Sequence, residues 1–170
     1  MSEILVAPES GVVIAMQSLA ELTRGPELNE VAILEAIEQL GQVMEKQPQA
    51  EAHLEHIFTS GLYGRHWSAP RGTYLVTELW KEPNISSLIK GKIAVMSTKG
   101  QQILEAPRFF VTPAGTQRVM FIIEDTEFTT VHPNPDEERD TDILLDRLVV
   151  VHDSHRERNK HEPKTIVVEV

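Results

Sequence analysis

The chain has 170 residues, a formal net charge of −10 at pH 7 and no cysteine. Its length suffices for one domain with a substantial core plus a helical extension, and the lack of cysteine excludes disulfides, thiolate metal sites and cysteine nucleophiles. The negative charge argues against nucleic acid or an anionic membrane as a partner, and no apolar stretch reaches the roughly 20 residues of a membrane-spanning helix.

Residues 1–58 are predicted to form an acidic helical extension. Apolar residues recur at spacings of three and four over Val31–Met44, which places them on one face of a helix that starts near Asn29. A shorter apolar pattern predicts another helix over Val12–Leu22. The eight acidic residues within residues 1–50 form either a solvated helix face or a docking arm for a basic or apolar partner surface.

Two histidines close this predicted helical segment. His53 and His56 stand three positions apart, whereas zinc-binding helices use the spacing His-Glu-x-x-His. We therefore interpret them as a surface pair and not as a metal pair.

A β-barrel is predicted over residues 59–150, because short apolar runs alternate there with Gly and Pro turns. A short helix is predicted over Asp136–Leu148, where an acidic first turn precedes apolar residues at helical spacing. Residues 151–170 are a polar tail, in which Thr165–Val170 could add a terminal strand. The predicted strands are Tyr63–Trp67, Tyr74–Trp80, Ser87–Met96, Gln102–Ala106, Phe109–Val111, Arg118–Ile123 and Glu127–Val131.

The ordered motifs of this region resemble those of cupin-like proteins of tailed phages and prophages. The resemblance implies a mainly β fold, a cupin-type double-stranded β-helix barrel, which commonly forms a homodimer. Together with the composition it predicts a cytoplasmic protein, in the host cytoplasm if a phage encodes it. The motifs are Gly61–Arg65, Pro70–Thr73, Trp80–Asn84, Gly91–Val95, Glu105–Pro107, Pro113–Arg118, Asp125–His132 and Thr141–Leu145.

Cupin enzymes usually hold a divalent metal with histidine and glutamate, and the resemblance implies that these positions are degenerate in this chain. Trp80 and Asn84 stand where the first two histidines are expected, and Arg118 stands near the last. Tryptophan and arginine offer only N–H donors and cannot bind a metal. No cofactor is therefore predicted, and a divalent metal on Glu78 and His132 is the disfavoured alternative.

The resemblance also implies which side chains line the barrel, because residues two apart on a strand share a face. Trp80 can stack on a planar group, Arg118 can clamp a carboxylate or phosphate, and Glu78 can accept a hydrogen bond from an amine or hydroxyl. The same side chains could instead be core filling and internal ion pairs. The predicted ligand-binding residues are Tyr74, Glu78, Trp80, Asn84, Arg118, Met120, Phe128, Thr130 and His132.

These features predict a non-enzymatic protein that binds a small anionic ligand, a metabolite or a nucleotide signal, inside the barrel. One alternative is a structural or accessory phage protein, with the barrel as a scaffold and with residues 1–50 and the C-terminal strand as its binding segments. The other alternative is a metal-dependent enzyme of the dioxygenase or isomerase type.

Overall fold

The computed structural model describes residues 4–6, 10–50, 52–150 and 166–168, with residues 4–6, 10 and 166–168 described by their backbone. The architecture is mainly β with almost entirely antiparallel pairing, and it fits the predicted cupin-type barrel with an N-terminal helical extension. The helices are α1 (Ser10–Leu22), α2 (Glu30–Glu45) and α3 (Thr141–Leu148). The strands are β1 (Ile4–Val6), β2 (His53–Thr59), β3 (Gly61–Ala69), β4 (Tyr74–Val76), β5 (Leu79–Trp80), β6 (Asn84–Ser97), β7 (Gly100–Glu105), β8 (Arg108–Thr112), β9 (Arg118–Asn134), β10 (Val149–Val150) and β11 (Ile166–Val168).

Helices α1 and α2 lie against the outside of the barrel. Helix α2 begins at the predicted position because Asn29 Oδ1 accepts a hydrogen bond from Ala32 N at 3.1 Å, an N-cap contact. The apolar faces of both helices pack on Val76 of β4 and Val119 of β9. The helices of the predicted extension therefore form a layer on the sheet, with Ile14 and Val31 among the apolar side chains left exposed.

Strand β9 is the longest strand described, with 17 residues, and it pairs with β3, β4 and β6. The sequence predicted two strands here, separated around Asp125. The strand stays continuous because the partner strand β6 absorbs the misfit, through register shifts between Leu88 and Ile93.

Gly91 lies within these register shifts. Its φ of +90° is in the left-handed region, and a Cβ at this position would meet the carbonyl oxygens of Asp125 and, at 2.9 Å, Glu124. Glycine is therefore required for the shift. As a result Leu88 before the shift and Ile93 after it both point into the core, although they are five positions apart, an odd offset that places residues on opposite faces of a regular strand.

Residues 53–58, predicted as part of the helical extension, lie in strand β2 (His53–Thr59), which is antiparallel to β3. The segment is rich in aromatic and β-branched residues, which favour strands. Residues three apart on a strand point to opposite faces. His53 is accordingly exposed and lies 2.9 Å from Glu55, whereas His56 is buried, so the predicted surface pair is wrong for His56.

The predicted strand Tyr74–Trp80 is split between two sheets. Strand β4 pairs with β9, whereas β5 leaves that sheet and pairs with β10. The continuous strand that would have placed Tyr74, Glu78 and Trp80 on one face is therefore interrupted between β4 and β5.

The C-terminal region is described only in part. Strand β11, within the predicted terminal strand, pairs in parallel with β2. The rest of the predicted polar tail, residues 151–165 and 169–170, lies outside the described residues. None of the described helices is long and apolar enough to span a membrane.

Gly91→Ala is expected to lower the free energy of unfolding by more than about 3 kcal/mol, because the new Cβ adds a backbone clash to the strain of a positive φ. Urea denaturation followed by circular dichroism measures this loss.

Gly115→Ala is the matched control, since Gly115 also has a positive φ (+76°) but nothing lies within 4 Å of the point where its Cβ would stand. It is expected to cost only about 1 kcal/mol. Equal losses in the two variants would show that Gly91 is needed for its φ alone and not for the close approach of β9.

Candidate functional site

The pairing of the strands arranges the inward side chains of the barrel in rows. Residues directly opposite each other on neighbouring strands share a face of the sheet. A polar row crosses β2, β3, β9 and β6 through His56, Arg65, Thr130 and Ser86. On one side of it lies an aromatic row of Phe58, Tyr63 and His132, and on the other an apolar row of Leu54, Trp67, Phe128 and Leu88.

Arg65 is the buried cation of the polar row, with 5% of its surface exposed. Its guanidinium carbon lies 5.8 Å from the ring centroid of Trp80, within cation–π range. No carboxylate oxygen of the described residues forms an ion pair with it at 4.0 Å or less. The sequence analysis placed Arg65 in a motif but missed it as a site residue. The available signal was its alternation with the apolar Tyr63 and Trp67 on one strand.

His132 lies between polar and aromatic neighbours and is 1% exposed. Its ring stacks on Trp80 with centroids 4.8 Å apart, and Nε2 shares a hydrogen bond of 2.9 Å with Thr130 Oγ1. The other nitrogen, Nδ1, is buried and has no hydrogen-bond partner among the described residues. A buried polar atom in this state is expected to meet a ligand or water.

The position of Trp80 is fixed by backbone contacts from the Pro113–Thr116 turn. The N–H of Trp80 donates to Thr116 O at 3.0 Å, and its carbonyl accepts from Gly115 N at 2.8 Å. Its side chain packs with Leu144 and Leu148 of α3, so this helix covers the aromatic end of the barrel.

The charge of Arg65 and the burial of the site keep both inner histidines neutral. Burial, and then the nearby guanidinium of Arg65, lowers the pKa of His132 to about 3. The same two causes, in the same order, lower the pKa of His56 to about 4. His56 Nδ1 shares a hydrogen bond of 2.6 Å with Tyr63 Oη, and burial raises the pKa of Tyr63 to about 12.

A chain of hydrogen bonds runs from Arg118 to Asn84. Arg118 Nη2 donates to Thr112 Oγ1 at 3.0 Å, Thr112 Oγ1 and Ser86 Oγ lie 2.7 Å apart, and Ser86 Oγ donates to Asn84 Oδ1 at 2.9 Å. Asn84 is 4% exposed, and its Nδ2 is buried with no partner among the described residues. Burial lowers the pKa of Arg118 to about 10, which leaves the guanidinium charged at neutral pH.

The predicted site residues thus fall into separate groups. Met120 and Phe128 belong to the apolar core cluster of the barrel. Tyr74 packs on Phe121 and on the helical cluster, apart from the other predicted residues. Glu78 is buried in the connection between β4 and β5. Those that the rows and the hydrogen-bond chain bring toward one region are Trp80, Asn84, Arg118, Thr130 and His132.

A divalent metal does not fit these side chains. No group of three or more His, Cys, Asp or Glu residues in the described ranges could hold a metal ion. His132, the imidazole of the predicted metal alternative, lies beside the cation Arg65, which would repel a metal as it disfavours a proton.

No protein-family model and no curated protein matches the chain. Among solved structures, a putative ethanolamine utilization protein Q from Salmonella typhimurium LT2 is 16% identical, covers 49% of this chain and 69% of its own, and has a TM-score of 0.42. An acetylacetone dioxygenase from Acinetobacter johnsonii is 15% identical, with 53% of this chain and 68% of that protein covered, and has a TM-score of 0.44. KdgF from a Halomonas species is 17% identical, with 53% of this chain and 82% of that protein covered, and has a TM-score of 0.43. Likenesses of this extent carry no statement on the ligand or reaction of this chain.

The two neutral histidines are expected to make the protein less stable in acid. A lowered folded-state pKa means that the unfolded chain binds the proton more tightly, so stability is full above the unfolded pKa of about 6.5. It is lost as the pH falls towards about 4 for His56 and about 3 for His132. At pH 5 each histidine is expected to cost about 2 kcal/mol of unfolding free energy, measured by urea denaturation between pH 7 and pH 5.

His132→Gln is expected to remove about half of this pH dependence. The wild type, measured over the same pH range, is the reference. If His132→Gln retained the full slope, His132 would already be charged in the folded protein.

Proposed function

We propose that the barrel binds a small anionic ligand without chemical turnover and that Arg65 is its anchor. The carrying observation is a buried guanidinium that has no ion pair among the described residues. Asn84 and His132, each with an unpartnered buried nitrogen, lie on the facing strands β6 and β9. A buried charge is normally paired, so the site is complete when an anion is present.

The balance of charges supports an anion over a cation or a neutral ligand. The interior carries two guanidiniums, Arg65 and Arg118, while His56 and His132 are neutral. Even counted as ionised, Glu78 offsets only one of the two positive charges. One bound monoanion would bring this interior to neutrality.

The pKa values of the site favour binding over acid–base catalysis. A general acid or base works best with a pKa near the operating pH. The pKa values of His132, His56 and Tyr63 are about 3, 4 and 12, far from neutrality on both sides. These groups are suited to donate or accept fixed hydrogen bonds to a ligand.

The ligand is expected to be small. All the side chains of the proposed site are buried: Arg65, Trp80, Asn84, Thr130 and His132. The rings of Trp80 and His132 are already stacked on each other. Of the two ligand types predicted from the sequence, this packing favours a small metabolite over a nucleotide.

The alternative is a scaffold that binds a phage or host protein through residues 1–50. One face of α1 and α2 packs on the barrel, and the surface left for a partner is mixed, with acidic residues and the exposed apolar side chains of Val13, Ile14, Leu22 and Val31. The homodimer, the cytoplasmic location and a phage role remain predictions from the sequence.

Replacing Arg65 tests the proposal in two ways. Arg65→Met is expected to stabilise the protein by about 1–4 kcal/mol in the absence of anions, because it removes a buried charge that lacks a partner. The same variant is expected to lose the rise in melting temperature that sodium acetate, formate or propionate gives the wild type at constant ionic strength. Differential scanning calorimetry of the full chain measures both effects.

Arg108→Met is the control, because Arg108 is exposed on β8 and should keep the anion response. Native mass spectrometry of the wild type, purified without added anions, adds the mass of any retained ligand. A large loss of stability in Arg65→Met, with an unchanged anion response, would mean that Arg65 is a structural residue and would refute the proposal.

A further inference from the structure

We propose that the ligand is a small carboxylate with an oxygen on the neighbouring carbon, a 2-hydroxy or 2-oxo monocarboxylate, and that Asn84 and His132 recognise this second oxygen. The inference rests on the proposed function, in which Arg65 holds the carboxylate. It adds what the other side of the site requires of the ligand.

The direction of the hydrogen-bond chain determines what Asn84 offers. A guanidinium can only donate, so Thr112 accepts from Arg118 and turns its own hydrogen toward Ser86. Ser86 then donates to Asn84 Oδ1. The amide oxygen is used, and the amide nitrogen, with its two hydrogens, is left as a donor inside the barrel.

His132 provides the neighbouring group. Strands β6 and β9 pair at Ile85 and Val131, which brings Asn84 and His132, the next residues outward, side by side. The Nε2 of His132 shares a hydrogen bond with Thr130 Oγ1. The buried Nδ1 of the neutral ring therefore either donates or accepts a hydrogen bond, depending on the tautomer. A ketone oxygen would accept from both residues, and a hydroxyl would accept from Asn84 and donate to His132.

Arg65 lies in the same part of the barrel as this pair. Arg65 lies opposite Thr130 in the ladder, and Thr130 is the residue bonded to His132. Arg65 and His132 also share contact with Trp80, with separations of 5.8 Å and 4.8 Å from its ring centroid. A carboxylate alone would satisfy Arg65 and leave the nitrogens of Asn84 and His132 without partners.

Isothermal titration calorimetry with matched ligands tests the inference. Sodium lactate, pyruvate and propionate have the same number of carbon atoms, and propionate alone has no oxygen on the carbon next to the carboxylate. Lactate or pyruvate is expected to bind the wild type at least about tenfold more tightly than propionate, because propionate leaves the buried donor unpaired. Asn84→Leu is expected to abolish the preference for lactate and pyruvate over propionate.

Asn134→Leu is not a suitable control, because the amide of Asn134 holds the backbone of Glu138 and is structural. Gln102→Leu serves instead, since Gln102 is an exposed amide on β7 and should keep the preference for the oxygen on the neighbouring carbon. Circular dichroism confirms that each variant is folded. If Asn84→Leu does not fold, the comparison of the three ligands on the wild type still decides the inference.

The outcomes separate the inference from the proposed function. Equal affinity for the three ligands, or binding of inorganic phosphate in place of all three, would overturn the ligand class and leave anion binding intact. The lack of any anion response that depends on Arg65 would overturn both.

Discussion

Strand β9 sets the register on which the whole interior depends. Because its 17 residues pair with β3, β4 and β6, one alternation of inward and outward side chains runs from the helix-covered part of the barrel to the polar part. A slip of one residue would turn Thr130 and His132 out and place Val131 and Pro133 inside. The glycine at position 91 lets β6 follow this long strand, so the register is kept across the misfit.

This register places a cation where water cannot reach it. The apolar row around Trp67 and Phe128 closes one side of the polar row, and α3 covers the aromatic end. In such surroundings the field of Arg65 is strong, which is why it helps to keep His132 neutral. The site therefore concentrates its charge in guanidinium groups and offers otherwise neutral hydrogen-bonding atoms. Such an arrangement lowers the stability of the folded protein when no anion is bound, and a bound anion raises that stability.

The sequence predicted much of the barrel, because alternation and turn residues are local signals. Asn29 marked the start of α2, and the shared face of Phe128, Thr130 and His132 followed from their spacing. The break between β4 and β5 was not visible, since Trp80 joins a different sheet through Val149, far along the chain. Arg65 was missed for a physical reason: a charged residue on a strand normally faces water, and this expectation outweighed the alternation of Arg65 with the apolar Tyr63 and Trp67.

The two interior arginines have different roles because their surroundings differ. Arg118 already donates to Thr112 and lies 5.6 Å from the Phe110 ring centroid, so its charge orients the hydroxyls of Thr112 and Ser86. Arg65 has only the face of Trp80, which attracts a cation but cannot accept its N–H groups in the way a carboxylate does. The arginine that the sequence singled out therefore directs the hydrogen-bond chain, and the one that it missed is left with donors for an anion. A ligand that contacts both ends of this arrangement must carry a charge and a neutral oxygen close together, which a halide ion or an unsubstituted carboxylate does not offer.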